Sequence, residues 1–194
     1  MYRNIPRYVV VILGLVFMGC ASKKDTASDY KLSDAEVYTI VNDILLKGPY
    51  PSDVVIDKCK ALQLDASDKA LMLDPEVNIT PTDIDYLVTQ TTDTTTFTLN
   101  NTYLKKNLKA ISLKEVEKQC NNYNELRIFW DSIHKKYPGG YTVLSKPVLT
   151  KNKNILVIKL SHYCGPLCGT GGVMIFVRKD NSWELRAISN GWDS

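Results

Sequence analysis

Apolar positions recur along this chain first with a helical period and then with the period of a strand, and the change falls at Gly140. Val37, Ile40, Val41, Ile44 and Leu45 stand three or four apart and form one face of a helix. Ser33 with Glu36 three residues later makes a capping box at its start, and Lys47, Gly48 and Pro49 supply its stop. Thr80-Pro81-Thr82-Asp83 opens a short helix with proline at the first helical position, and Ile84, Leu87 and Val88 give it one apolar side. Ser112 with Glu115 is a further capping box, with Ile111 and Val116 placed as a hydrophobic staple. Asn122 with Glu125 begins the strongest helical pattern, where Leu126, Phe129, Trp130, Ile133 and Tyr137 line one side until Pro138-Gly139-Gly140 ends it.

Beyond Gly140 come four β-rich runs, "YTVLSKPVLT", "NILVIKLSHY", "GGVMIFVRK" and "WELRAIS". They are separated by "KNKN", a glycine-cysteine stretch and "KDNS", and short turn-joined runs at this spacing predict an antiparallel meander. The region from Pro51 to Asn101 is less definite. "DVVIDKCKALQL" fits a strand or a short helix, "KALMLD" fits an edge strand, and "TQTTDTTTFTLNN" fits extended structure or an exposed loop. No active site is expected there. The predicted fold is α+β, with amphipathic helices packed on a C-terminal four-stranded antiparallel meander.

The N-terminus changes the picture from fold to location. Arg3 and Arg7 precede an unbroken apolar run from Val9 to Met18. That run is about ten residues, half of the ~20 a membrane-spanning helix needs, so a secretory signal peptide is expected over residues 1–19. "Phe17-Met18-Gly19-Cys20" resembles the lipobox of bacterial lipoproteins, although Phe17 and Met18 replace the leucine and small residue most usual there. The resemblance implies cleavage before Cys20 and acylation of its sulfur and amino group, enough acyl chains for stable anchoring. Residues 20–31 are polar and small, a lipidated flexible tether, and residues 32–194 are expected to form a single α+β domain. Asp25-Thr26-Ala27 also resembles an O-glycan acceptor triplet of some Gram-negative bacteria.

Charge and motif content narrow the function classes. The formal charge is +3, and Arg3 and Arg7 account for two of it, so the mature chain is near neutral. A near-neutral chain with no dense basic patch argues against nucleic acid as a partner, and its densest basic cluster, Lys105, Lys106 and Lys109, reads as a solvated face. There is no H-E-x-x-H, G-x-S-x-G or Walker loop. Asp83 and Asp85 sit at a helix start, where carboxylates complement the dipole. Trp130, "YPGGY", "LSKPV", "HYCGPLCGTGG" and "WEL" together resemble the C-terminal third of a group of uncharacterised bacterial lipoproteins. That resemblance implies a C-G-x-L-C-G-x-G hairpin followed by a W-x-[IVL] strand and brings no activity with it.

The remaining chemistry is in the cysteines. With Cys20 taken by lipid, Cys59, Cys120, Cys164 and Cys168 are left, an even number that suggests disulfides in an exported chain and allows three connectivities. Gly165-Pro166 favours a turn that brings Cys164 and Cys168 within bridging distance. Cys59 with Cys120 is the long-range candidate. A thioredoxin-like reading of Cys164 and Cys168 meets three intervening residues rather than two, and a strand rather than a helix afterwards. A metal reading takes His162, Cys164 and Cys168 as soft ligands but leaves a zinc site short of a fourth. His134 is the only other histidine, and Cys164 with His134 is a remote nucleophile pair. Gly169-Thr170-Gly171-Gly172 reads as glycine supplying positive φ in a hairpin. The expectation is a lipid-anchored binding or structural module of a bacterial cell envelope, facing the periplasm or the cell surface and needing no cofactor. Its partners would be the membrane and an envelope protein or small ligand. The alternative is a small thiol-redox or metal-binding enzyme centred on His162, Cys164 and Cys168.

Overall fold

A computed structural model describes residues 31–118 and 126–194. Five helices are present among the described residues: α1 Asp34–Lys47, α2 Ala66–Met72, α3 Pro81–Thr91, α4 Leu113–Glu117 and α5 Leu126–Lys136. The strands are β1 Val54–Ile56, β2 Lys58–Cys59, β3 Phe97–Thr98, β4 Lys109–Ile111, β5 Tyr141–Leu144, β6 Val148–Leu149, β7 Ile155–Gly165, β8 Cys168–Lys179 and β9 Ser182–Asp193. Seven of them form one sheet in the order β4-β1-β5-β7-β8-β9, with β6 also paired to β7, while β2 and β3 make a separate pair.

The C-terminal strands are antiparallel as expected, but the sheet has seven strands rather than four. Two causes account for the difference. The run "YTVLSKPVLT" splits into β5 and β6, both of which pair with β7, because Lys146-Pro147 interrupts the ladder between them. On the other side, β1 and β4 extend the sheet in parallel with β5, through the pairs Val54↔Lys109, Ile56↔Ile111 and Val55↔Thr142. Three-residue strands carry too little alternation to be seen in sequence, and parallel pairing joins residues that are far apart in the chain.

Both faces of the sheet are covered. On β7, Leu156, Ile158 and Leu160 point towards α1 and pack with Val41, Ile44 and Leu45, Met174 and Phe176. Ile155 and Val157 point the other way, onto Met72 of α2 and Ile84 and Leu87 of α3, with Val173 and Ile175. Farther along that second face, Val54, Ile56 and Ile111 meet Val116, Trp130, Ile133 and Tyr137 of α4 and α5. An apolar residue at every position of "ILVI" is the pattern of a strand buried on both sides.

The helix ends follow their sequence signals closely. Ser33 Oγ accepts from Glu36 N–H at 3.3 Å, and Ser33 N–H donates to the Glu36 carboxylate at 2.9 Å. Lys153 Nζ also donates to Glu36, and these contacts hold its carboxyl at about 2. At α4 the box is half made. Ser112 Oγ accepts from Glu115 N–H at 3.2 Å, but the Glu115 carboxylate turns to Lys136 Nζ at 2.7 Å and Tyr137 Oη at 2.6 Å, tying α4 to α5. Ile111 and Val116 are both buried in one cluster, as the staple requires. "KALMLD", read as an edge strand, lies instead mainly in α2, which Asp65 caps through Ser67 N–H and Asp68 N–H. The predicted cap at Asn122 and Glu125 lies outside the described residues.

Leu156 is fully buried and Leu73 is 54% exposed. Leu156→Ala is therefore expected to lower unfolding free energy by about 2–5 kcal/mol. Leu73→Ala should change it by less than about 0.5 kcal/mol. Urea denaturation followed by circular dichroism separates the two.

Candidate functional site

The cysteine stretch forms the end of the β7–β8 hairpin. Cys164 lies near the end of β7 and Cys168 begins β8, and their sulfurs are bonded across a Cα–Cα distance of 5.0 Å. A register shift between Tyr163 and Gly165 takes Cys164 out of the ladder before Gly165 pairs with Cys168. The turn itself projects into solvent, and Leu167 at its tip is 85% exposed. His134 of α5 donates from Nε2 to the Cys164 carbonyl at 2.6 Å, which fixes its tautomer and docks the helix on the hairpin.

His162 is spaced to share a strand face with Cys164, but it is engaged elsewhere. Its Nδ1 shares a hydrogen bond of 3.0 Å with Oγ1 of Thr142, which is fully buried on β5. Burial lowers the His162 pKa from its ordinary value. The structure thus brings Cys164, Cys168 and the His134 ring to one end of the sheet. The groups there are engaged with one another or with the sheet: sulfur with sulfur, Nε2 of His134 with a carbonyl, and Nδ1 of His162 with a hydroxyl. Among the described residues no three or more His, Cys, Asp or Glu side chains are grouped to hold a metal ion.

Cys59 is a core residue. It is fully buried in the cluster under α1, where desolvation, aided by the Asp57 charge, pushes its thiol up to about 12. Such a thiol is a poor nucleophile. Cys120, its candidate partner, lies outside the described residues, as does Cys20.

An aromatic row on the α5 side of the sheet was not foreseen. Trp130 stacks on Tyr141 at 6.2 Å, Tyr141 on Tyr163 at 5.4 Å, and Tyr163 meets Trp192 at 5.7 Å. These rings come from α5, β5, β7 and β9 and run from strand to strand across the sheet. Trp192 lies over β8 where Gly169 and Gly171 offer no side chains. A Cβ on Gly169 would sit 3.0 Å from the indole ring, and one on Gly171 would sit 2.8 Å from its Nε1. The glycine run therefore does not supply positive φ, as its composition suggested. Among the described residues the glycine with positive φ is Gly140, at 76°. Gly169 and Gly171 are strand residues kept small to seat a ring, and their two-residue spacing was the signal available in sequence.

Beside Trp192, Asn190 adopts φ 51° and reaches back to α2. Its Nδ2 donates to Asp65 Oδ2 and Asp68 Oδ1, both at 3.0 Å, and Ser67 Oγ donates to its Oδ1 at 2.9 Å. A cavity of about 420 Å³ opens there, bordered by Lys159, Asp68 and Trp192. No protein-family model, curated protein or solved structure matches this chain.

Gly171→Ala is expected to lower the thermal midpoint and raise Trp192 exposure, read by fluorescence quenching, because the new methyl displaces the ring. The lowered pKa of His162 makes a second expectation. As pH falls through the ordinary value of 6.5, the unfolded chain takes up the proton before the folded one. The contribution of neutral, buried His162 is complete above that pH and is lost below it. The thermal midpoint should fall less steeply across that interval in His162→Gln than in the native chain.

Proposed function

We propose that this chain is a lipid-anchored protein of a bacterial cell envelope whose domain serves as a binding module. The observation that carries the reading is the closed Cys164–Cys168 bridge at an exposed hairpin end. A chain that holds such a bridge belongs in an oxidising compartment. The basic start, the apolar run and the lipobox-like Cys20 point to the same compartment from an unrelated part of the sequence. The C-terminal likeness to uncharacterised bacterial lipoproteins supports it as well.

The same geometry favours structural over catalytic sulfur. A reactive pair gains its low thiol pKa at a helix N-terminus or beside a cation. Here one cysteine closes a strand and the other opens the next. In this reading Cys20 joins the domain to the periplasmic or outer surface of a membrane. The loops and grooves of a rigid, two-sided core then meet an envelope protein or a small ligand.

Cys20→Ala is expected to move the chain from the membrane fraction to the soluble one and to remove the acyl chains from its intact mass. Replacing Cys164 and Cys168 together by serine should lower stability by about 2 kcal/mol, because the closed loop is short, and should leave ligand capture intact. Turnover of a disulfide substrate that vanishes in the serine pair would sink the binding reading in favour of a thiol-redox enzyme.

A further inference from the structure

A further cavity lies away from the cysteines, beside α1. It has a volume of about 580 Å³ and is walled by α1, the β6–β7 turn and the β8–β9 turn. Four cations border it: Lys47, Lys105, Lys153 and Arg178. Two carboxylates stand with them, and each is already engaged. Asp43 pairs with Lys47 at 2.8 Å, and Glu36 pairs with Lys153. Glu36 stays ionised because its carboxyl is held at about 2. The surplus of positive charge therefore falls on Lys105 and Arg178, which have no ion-pair partner among the described residues.

The backbone of Lys105 and the guanidinium of Arg178 are each anchored beside the groove. The Lys105 backbone N–H donates to Asn42 Oδ1 at 2.9 Å, and Asn42 is itself buried and donates to the Tyr103 carbonyl. The Arg178 guanidinium lies over the Trp183 ring at 5.8 Å, and Asp43 fixes Trp183 by accepting its backbone N–H at 3.2 Å. Stacking occupies the flat face of a guanidinium and leaves its in-plane N–H edge for an acceptor. A planar fork and an ammonium bordering one groove suit the oxygens of a phosphate.

We propose that this groove binds a phosphate group, as a monoester or as the phosphodiester of a lipid headgroup, through Arg178 and Lys105. The tether argues for the headgroup. Glu36, in the first turn of α1, lines the groove, and Lys31 stands three residues before that helix. On the tether reading of residues 20–31, a flexible chain of that length would reach roughly 15–20 Å, so an acylated Cys20 would keep the groove within reach of a membrane surface. The headgroup source rests on the anchor reading, whereas phosphate binding by the groove does not.

The test uses the purified full chain, its acyl state read by intact mass on the same sample. It is titrated calorimetrically with sn-glycerol 3-phosphate and with dihexanoylphosphatidylglycerol below its micelle concentration. Saturable one-to-one binding is expected for at least one probe, weakened roughly tenfold or more in the double variant Lys105→Gln, Arg178→Gln. Tighter binding of the lipid assigns the headgroup, and tighter binding of glycerol phosphate assigns a soluble monoester. Should the double variant fold poorly, Lys105→Gln alone, at an exposed position, must still weaken binding. Absence of saturable binding by both probes, or equal affinity in a folded variant, overturns the proposal. A chain without acyl groups that still binds phosphate would sink the anchor reading and leave the groove standing.

Discussion

Burial of β7 on both faces is the constraint from which the rest of the architecture follows. Its residues Leu156, Val157 and Ile158 are fully inaccessible, and its two edges are hydrogen-bonded to β8 on one side and to β5 and β6 on the other. A strand with apolar side chains on both faces cannot leave either face in water, since each fully buried Leu or Ile is worth about 1.5–3 kcal/mol. One layer of helices must therefore lie on each side. α1 supplies one alone, while α2, α3, α4 and α5 share the other. The parallel additions β1 and β4 follow the same logic: Val55 points to α1, and Val54 and Ile56 point to α4 and α5.

Polar groups then decide how these layers are locked together. Asn190 joins β9 to the cap of α2, Gln90 joins α3 to both backbone groups of Leu149, and Glu115 joins α4 to α5. Each contact ties a helix to a strand or to another helix. The long edge strand β9 is also managed this way. Its register shifts fall beside Arg186 and Asn190, whose side chains bond to the Glu76 carbonyl and to the α2 cap. Bulges of this kind spoil an edge as a template for further pairing.

What was legible in the sequence follows from the range of each interaction. The capping box of α1, the Pro81 start and the strand runs after Gly140 are written in neighbouring residues, and the structure bears them out, whereas the box at Ser112 is only half made. The Cys164–Cys168 bridge was readable for the same reason, because its turn is local. The parallel strands were hidden, since the partner of Val54 is Lys109. α2 was misread because seven residues give barely two turns of periodicity, and its cap depends on Asp65 and Asp68. The role of Gly169 and Gly171 is visible only once Trp192 arrives from another strand. Pairing of Arg178 with Trp183 across the β8–β9 turn likewise needs the register of that hairpin.

The bridge at the hairpin end has one more consequence. Exposed loop tips are where proteases cut, and Pro166 and Leu167 are held out in solvent. Yet the two strands leaving that tip are joined covalently on its inner side. A cut at Leu167 would open the turn without separating the halves, and the ladder from Ile155 to Tyr163 would keep its partner. A break in the backbone at this exposed tip would therefore cost the sheet none of its pairing, because the sulfur bridge takes over the role of the severed turn.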